Sequence, residues 1–413
     1  MKKLLVACLG MSVLLFSCKK DDVTPPPPDP AHTITGISPA TGPKNTVVTI
    51  TGTGFGTSTA ALKVYFNGVQ GTVQTATATS ITATVPPGAG TGAVKVEKSG
   101  VQVTGSVFTY QGNGWTSSIT LSGAATTLNH PSGIVRDASG NLFVCDRDNH
   151  RILKMTEAGV TSVFAGSGTP GLINGTGTAA AFNEPYCITI DGSGNLYVGD
   201  RMNNAIRKIT AAGVVTTLAG NGASGSADGT GSAATFAEPL GIGITSAGNL
   251  YVADYGNQKI RKITPAGVVT TAVTGYMCFG IAISGSNIYF TNYFQNRVYV
   301  VAEGSNTPSL VAGDVASGNT DGTGAAARFN IPAGITTDGS GNLYITETGN
   351  HRIRKITSSN VVTTIAGSTL GNTDGSGTTA QFDGPIAATG DFSNGILYIA
   401  DFYNNKIRKV IID

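Results

Sequence analysis

The sequence predicts an all-β protein: an immunoglobulin-like β-sandwich followed by a six-bladed β-propeller. Of its 413 residues, 57 are glycine and only 12% are charged. Short Thr-, Val- and Ile-rich runs separated by Gly and Pro are typical of strands joined by turns. Residues 33–110 carry such runs without a fixed period, whereas residues 115–413 repeat one pattern six times. The absence of long amphipathic runs excludes a helical bundle.

The charge balance argues against one class of function. Lys2 and Lys3 lie in a segment that we expect to be removed, which leaves 24 basic and 24 acidic residues and a net charge of zero. A nucleic-acid binder needs a basic field that exchanges with phosphate counterions. We therefore expect no nucleic-acid partner.

Residues 1–17 are predicted to be a lipoprotein signal peptide. Two lysines precede the apolar segment Leu4 to Phe16, which is too short to span a bilayer as a helix. The segment ends in Leu15-Phe16-Ser17-Cys18, which resembles a bacterial lipobox, although Phe16 is bulkier than the usual residue. The resemblance implies acylation of Cys18, and several acyl chains anchor a protein stably. Cys8 lies in a similar pattern with almost no apolar segment before it, and an ordinary cleaved signal peptide is the alternative.

Residues 18–32 are predicted to be a lipidated, Pro-rich tether. Lys19-Lys20-Asp21-Asp22 resembles the tag that exports lipoproteins to the cell surface in Bacteroidota-type bacteria, and Thr24 to Pro30 is Pro-rich. An extended polyproline spacer rises about 3.1 Å per residue and lifts the first folded domain about 20 Å from the lipid. The resemblance implies an outer-membrane lipoprotein, bound to lipid through Cys18 and exposed on the cell surface. A simple solvated tether and a periplasmic orientation remain open.

Residues 33–110 read as short alternating strands separated by Gly and Pro turns. Examples are Val47-Val48-Thr49-Ile50-Thr51, Val64-Tyr65-Phe66 and Ile81-Thr82-Ala83-Thr84-Val85. This spacing within about 80 residues indicates an immunoglobulin-like sandwich. The motifs resemble the IPT/TIG family, which implies a spacer or interaction module without catalysis.

Residues 115–413 contain a repeated unit. It reads Pro-x-Gly-Ile, then Asp-x-x-Gly-Asn-Leu-Tyr-Val-x-Asp, then Asn-x-(Lys/Arg)-Ile-Arg-Lys-Ile-Thr, then Gly-Val-Val-Thr-Thr-x-Ala-Gly. The six copies start at Pro131, Pro185, Pro239, Cys278, Pro332 and Pro385. Four strand-like runs per copy are the signature of a β-propeller, in which each blade packs on its neighbours.

The repeats resemble the NHL family, most closely at Asn149-His150-Arg151-Ile152 and Asn350-His351-Arg352-Ile353. The last copy ends near Val410 without a fourth strand. The run from Ser117 to Gly123 matches the missing strand. We expect this N-terminal strand to complete blade six and leave no open sheet edge.

Features that recur in every blade are predicted to serve the fold. The acid that ends each second strand is expected to accept hydrogen bonds from nearby backbone N–H groups. Its copies are Asp146, Asp200, Asp254, Glu347 and Asp401, with Asn292 in blade four. Arg-Lys pairs such as Arg207-Lys208 are expected to pair with these acids, and loops such as Asp228-Gly229-Thr230-Gly231 are expected to be turns. Cys145, Cys187 and Cys278 lie in apolar strands and are expected to be buried thiols.

One departure from the repeat indicates a candidate metal site. Immediately before the first position of three consecutive blades stand His130, Glu184 and Glu238. One histidine and two carboxylates could hold a divalent cation at the channel mouth. Exposed loop residues are the alternative.

A second departure, in loop length, predicts a groove across one face. The connection between blades runs 18 or 19 residues except before blades one and four, where it is short. These two blades lie opposite each other in a six-fold ring. The candidate ligand-binding residues on the two sides are Tyr255, Tyr276, Tyr293, Phe294, Arg147, Asp148 and His150. Aromatic rings with polar rims bind sugars by stacking and hydrogen bonding, and the alternative is that the aromatic residues fill the space left by the short loop.

These features favour a monomeric, non-catalytic surface lipoprotein whose propeller binds a polysaccharide or a protein partner. No cofactor is expected, and a divalent metal stays open. The alternative function is a metal-dependent hydrolase or lyase with a site at the channel mouth, because propellers host both binders and enzymes.

Overall fold

A computed structural model describes residues 31–119, 121–123 and 127–412. The predicted signal peptide, the predicted acylation site Cys18 and nearly all of the tether lie outside these residues. In the part of the chain that the structure describes, no helix has the length and hydropathy of a membrane span.

The first domain is a β-sandwich. Its strands are β1 (Thr33–Ser38), β2 (Thr41–Gly42), β3 (Val47–Thr53), β4 (Leu62–Phe66), β5 (Val69–Ala76), β6 (Ser80–Thr84), β7 (Gly92–Lys98) and β8 (Val101–Tyr110), with a short 3₁₀ helix at Thr59–Ala61. The strand order is β1-β3-β6-β5-β4-β7-β8-β2. Alternate residues of these strands point inwards, so that Ile50, Phe66 and Phe108 are fully buried.

The second domain is a propeller of six sheets. Blade one has β10 (Ser122–Gly123), β11 (Pro131–Arg136), β12 (Leu142–Asp146), β13 (Arg151–Met155) and β14 (Val160–Ala165). Blade two has β15 (Gly175–Thr176), β16 (Pro185–Ile190), β17 (Leu196–Asp200), β18 (Ala205–Ile209) and β19 (Val214–Ala219). Blade three has β20 (Gly229–Thr230), β21 (Pro239–Ile244), β22 (Leu250–Asp254), β23 (Lys259–Ile263) and β24 (Val268–Thr274).

The other three blades follow the same plan. Blade four has β25 (Cys278–Ser284), β26 (Asn287–Asn292), β27 (Arg297–Ala302) and β28 (Ser309–Gly313). Blade five has β29 (Gly322–Thr323), β30 (Pro332–Thr337), β31 (Leu343–Glu347), β32 (Arg352–Ile356) and β33 (Val361–Ala366). Blade six has β34 (Pro385–Asp391), β35 (Ile396–Asp401) and β36 (Lys406–Ile411), and is completed by β9 (Thr116–Ser118).

The remaining short helices are all of the 3₁₀ type. Those after a second strand are Arg147–Asn149, Arg201–Asn203 and Tyr255–Asn257, and those in the connections are Gly177–Ala179, Gly231–Ala233, Gly324–Ala326 and Gly377–Thr379. The predicted fold class, a sandwich followed by a six-bladed propeller, is confirmed.

The N-terminal strand closes the ring, as the sequence predicts. Strand β9 pairs antiparallel with β36, and Ser118 lies opposite Arg408. The register is two residues earlier than the sequence match, because Ser118 donates to Asp374 in the way that Thr271 donates to Asp228 in blade three. Ser122 and Gly123 instead form β10, which pairs with the outer strand of blade one.

The long connections do not form the walls of a groove, which corrects the prediction from loop length. Three of the four contribute a two-residue strand, β15, β20 or β29, that pairs with the outer strand of the following blade. In the fourth, Gly375 pairs with Thr116 of the closing strand β9. Each of the four also buries a phenylalanine completely, and these are Phe182, Phe236, Phe329 and Phe382. The length of these connections therefore covers the outer edges of the blades.

A buried arginine accompanies each long connection. The guanidinium groups of Arg207, Arg261, Arg354 and Arg408 lie 4.9–5.1 Å from the rings of the four buried phenylalanines. They also donate to carbonyl groups of the connection. Blades one and four, with short connections, have Leu128 with Leu153 and Tyr276 with Tyr299 at these places. An arginine without the connection would lack acceptors, so an apolar or aromatic pair replaces it.

Neighbouring blades are joined by a repeated hydrogen bond on one face. In five of the six blades, a residue with left-handed backbone after the second strand accepts the N–H of the residue that precedes the next blade. Examples are His150 from Glu184, Asn204 from Glu238 and Asn405 from His130. The last of these links blade six to blade one and so completes the ring. In blade three, the N–H groups of Gly275 and Tyr276 donate to the backbone carbonyl group of Gln258 instead.

The three cysteines are free and buried, as predicted. Burial raises the pKa of the Cys187 thiol to about 12 and that of Cys145 well above its ordinary value. Thiols in this state are protonated and unreactive at neutral pH.

Candidate functional site: the axial pocket

The repeated acids serve the fold, as predicted. Asp200 accepts the backbone N–H of Asn183 at 2.8 Å and pairs with Arg207 at 2.7 Å. The same arrangement holds for Asp254 with Arg261, Glu347 with Arg354 and Asp401 with Arg408. In blade one, where no arginine takes this place, Arg151 Nε donates to Asp146 at 2.8 Å.

The residue that follows each of these positions points to the propeller axis. The six residues are Arg147, Arg201, Tyr255, Tyr293, Thr348 and Phe402, one from each blade. Together they line a pocket of about 260 Å³ at the channel mouth, with Glu238 and Tyr403 completing its wall. This volume lies just below the usual range of small-molecule sites, about 300–1,000 Å³.

The floor of the pocket is apolar. It consists of Tyr186, Leu240, Phe279 and Ile386, which are at most 8% exposed. Phe279 lies at the centre of an aromatic cluster, parallel to Tyr293 at 5.2 Å and edge-on to Tyr186 at 5.8 Å. Tyr255 contacts the same ring at 6.4 Å. The side of the pocket formed by blades three and four is therefore a fixed aromatic surface.

The neighbouring side, where blade two meets blade three, is polar and is organised by Arg201. Its Nη1 donates to Glu184 and its Nη2 donates to Glu238, each at 2.8 Å. Burial opposes the charge of this guanidinium, but the hydrogen bond and charge of Glu238, with the charge of Glu184, raise the pKa of Arg201. Arg201 therefore stays charged and is fixed between two carboxylates.

A second charged group lies beside it on blade one. Arg147 Nε donates to Asp148 at 2.5 Å, and its guanidinium lies 4.6 Å from the centre of the Phe402 ring. Asp148 also contacts His130 Nδ1 at 2.6 Å. Burial opposes the ionisation of Asp148, but hydrogen bonds from Arg147 and His130 lower its pKa.

The phenols of the pocket are neutral hydrogen-bonding groups at physiological pH. Burial raises the pKa of Tyr186, against the nearby charges of Arg147 and Arg201. It raises the pKa of Tyr255 and Tyr293 as well. These hydroxyl groups can therefore donate to a ligand.

Three of the predicted ligand-binding residues line the pocket: Arg147, Tyr255 and Tyr293. Asp148 lies behind the wall, where it holds Arg147. The other three lie elsewhere. His150 accepts the N–H of Glu184 in the joint between blades, and Phe294 is 57% exposed outside the pocket lining. Tyr276 packs edge-on against Phe290 and Tyr299, where it fills the space left by the short connection.

The predicted metal triad is not assembled. Glu184 and Glu238 do converge, but on the guanidinium of Arg201. His130 instead contacts Asp148 and stacks on Phe402 at 4.7 Å. Among the residues that the structure describes, no group of three or more His, Cys, Asp or Glu side chains is placed to hold a metal. The sequence analysis identified the three residues, but not the guanidinium group of Arg201 that lies between Glu184 and Glu238.

Several pocket residues were missed from the sequence. Arg201 and Phe402 directly follow a repeated acid, and Tyr186 and Phe279 take the second position of their blades. Aligning the six copies would have revealed them, because these columns vary in chemistry while their neighbours repeat.

Solved structures and curated relatives share this architecture. Auxiliary nutrient binding proteins of Bacteroides ovatus and Bacteroides thetaiotaomicron superpose with TM-scores of 0.60 and 0.59 at 18% identity. Both cover 92% of this chain, and 98% and 97% of those chains respectively. Protein SUPPRESSOR OF QUENCHING 1, chloroplastic, of Arabidopsis thaliana is 28% identical over 324 residues, which are 70% of this chain and 31% of that protein. The chain spans less than half the length of the curated relatives it matches.

The domain matches agree with the two halves of the fold. Residues 33–125 match the IPT/TIG domain, a range that extends past β8 into the first strands of the propeller. Residues 128–155, 236–263 and 329–356 match the NHL repeat, and they cover parts of blades one, three and five. The chain thus consists of an IPT/TIG domain followed by a six-bladed β-propeller with NHL repeats.

Proposed function

We propose that this protein is a surface lipoprotein whose propeller binds a saccharide in the axial pocket. The observation that carries the proposal is the ring of six residues, one from each blade, in a column where the copies differ in chemistry. Positions used for the fold repeat from blade to blade, so variation concentrated around one pocket is expected of a ligand site. The auxiliary nutrient binding proteins of the two Bacteroides species support a binding role through a shared fold.

The chemistry of the pocket favours a saccharide over other ligands. Tyr293 and Tyr255 offer ring faces for stacking, while Arg201 and Glu238 offer charged donors and acceptors beside Tyr255. A sugar ring presents apolar C–H faces and polar edges, which match this division. In this proposal the ligand lies in a pocket on the axis, against blades two, three and four.

Binding can be tested with two neighbouring aromatic residues. We expect the purified full-length protein to bind members of a glycan array, and Tyr293→Ala to weaken binding at least about tenfold, because it removes a stacking surface (about 1.5 kcal/mol). The matched control is Phe294→Leu, which removes an exposed ring outside the pocket but keeps an apolar side chain against Tyr293, and should leave binding unchanged. Equal binding by wild type and Tyr293→Ala, or no binding to any glycan, refutes the proposal.

The lipid anchor is proposed from the sequence and has its own test. Cells that are given labelled palmitate should label the wild-type protein and Cys8→Ser, but not Cys18→Ser. Protease treatment of intact cells then distinguishes surface exposure from a periplasmic orientation. Label on Cys18→Ser would overturn the anchor.

A further inference from the structure

We propose that the axial pocket binds the end of an uncharged saccharide, and that Arg201 and Glu238 together form hydrogen bonds with a pair of its hydroxyl groups. This inference rests on the proposed function and specifies the ligand class and the binding mode of the same site.

The shape of the channel indicates that an end is bound. Below the floor residues, the cavity continues along the axis between the inner strands, but its volume there is only about 70 Å³. This space is large enough for a few water molecules but not for a sugar residue. A polysaccharide that enters the pocket therefore cannot pass on through the axis.

The charge balance at the pocket indicates an uncharged ligand. Arg147 and Arg201 supply two positive charges, but Asp148, Glu184 and Glu238 supply three negative charges within hydrogen-bonding distance of them. A ligand carboxylate would bring a fourth negative charge close to these three. A hydroxyl group brings no charge.

The free atoms of the pair form a donor and an acceptor side by side. Glu238 uses only Oε2 to bind Arg201, and its Oε1 accepts no hydrogen bond from any described residue. This side chain is 44% exposed and lines the pocket. Nη1 and Nη2 of Arg201 each carry a second hydrogen beyond those donated to the glutamates. Two adjacent hydroxyl groups, one donating to Glu238 and one accepting from Arg201, would satisfy both residues.

The carboxylate of Glu184 fixes the orientation of the Arg201–Glu238 pair. Because it holds Nη1 while Glu238 holds Nη2, the plane of the guanidinium is set before a ligand arrives. Across the pocket, Tyr293 is held parallel to the buried Phe279. A ring that stacks on Tyr293 thus presents its edge to a fixed pair of polar groups, which reduces the ordering cost of binding.

The test is calorimetric titration of the full-length protein with defined saccharides. The panel contains neutral tetrasaccharides of glucose, mannose, galactose and xylose, the corresponding long neutral polymers, and tetramers of galacturonate and glucuronate. We expect a neutral tetramer to bind at least tenfold more tightly than either uronate. We also expect one protein per chain end, whatever the length of the polymer.

Two variants test the role of the Arg201–Glu238 pair. Glu238→Gln keeps the size of the side chain but removes the charge that orders Arg201 and accepts the ligand, so the best neutral tetramer should bind at least about tenfold more weakly. The matched control is Glu303→Gln, which lies on the opposite face beside Tyr251 and should leave binding unchanged.

The outcomes separate the inference from the proposed function. Tighter binding of uronates, several proteins per polymer chain, or full affinity in Glu238→Gln overturns the inference and leaves saccharide binding in place. If no saccharide in the panel binds, both fail.

Discussion

Arg207 tests why long connections and buried arginines occur together. Its side chain is fully buried, with Nη1 on Asp200 and the Ala181 carbonyl group and Nη2 on the Ile173 carbonyl group. Arg207→Leu introduces the residue that blade one has at this place. It leaves Asp200 buried without its counter-charge, and breaking a buried pair in this way costs about 3–5 kcal/mol.

Blade five offers the matched comparison. Arg354→Leu removes the equivalent partner of Glu347, but Arg352 lies two residues earlier, where Arg151 in blade one binds Asp146. The Nε of Arg352 is buried with no hydrogen-bond partner among the described residues. It can therefore turn to Glu347 and recover about 1.5–3 kcal/mol, the usual value of a hydrogen bond to a charged group. Blade two has Ala205 at that place and no such reserve.

The assay is urea unfolding of the full chain followed by the fluorescence of Trp115. This is the single tryptophan, and it lies at the closing strand of blade six. We expect Arg207→Leu to lose more stability than Arg354→Leu, and Ala205→Arg to restore part of the loss in the blade-two variant. Equal losses in the two blades, or no recovery with Ala205→Arg, would refute the reasoning.

Two further predictions concern packing and pH. Gly199→Ala should lower the free energy of unfolding by about 1–3 kcal/mol, because its Cβ would lie 2.4 Å from Cys187 Sγ. Adding Cys187→Gly reproduces the pairing of Gly241 with Ala253 in blade three and should recover most of this loss in the same unfolding assay. No recovery would contradict the pairing. Burial lowers the pKa of His351, whose Nδ1 accepts the N–H of Gly384. The unfolded chain therefore binds a proton more readily than the folded chain. The contribution of His351 to stability should be complete above about pH 6.5 and should fall below it, by at most about 1.4 kcal/mol per pH unit. His351→Asn, the residue found at positions 204 and 405, should show a smaller loss between pH 6.5 and pH 5, and an unchanged profile would contradict this assignment.

The sequence predicted the fold because the fold is itself a repetition. Six copies with the same strand signals define six blades, and the missing fourth strand of the last copy predicted the closure through β9. Loop length was a poorer guide. A connection of 19 residues reads the same whether it stands above a face or lies along an edge, and only the pairing of Gly175 with Val215 shows that it lies along the edge.

The site was only partly predictable, because the identity of a residue shows neither how deeply its side chain is buried nor where that side chain points. His150 and Arg147 stand three residues apart with similar chemistry, yet the first joins two blades and the second lines the pocket. Glu184 and Glu238 were found together, but their partner Arg201 was not, because only its counterparts Arg147, Tyr255 and Tyr293 were considered. A metal site was inferred from Glu184 and Glu238, but the positive charge between these two carboxylates is that of Arg201.

The arrangement of each blade explains why specificity can concentrate at one column of the repeat. The acid that ends the second strand, the asparagine three residues later and the buried arginine form a closed hydrogen-bonded group, as in Asp254, Asn257 and Arg261. Changing any of these three breaks a buried network. The residue directly after the acid takes no part in that group and points to the axis, so it can change without loss of the blade. Six such positions meet in one pocket, and the fold does not require the choice of Arg, Arg, Tyr, Tyr, Thr and Phe there. Under the proposed function, the ligand sets that choice.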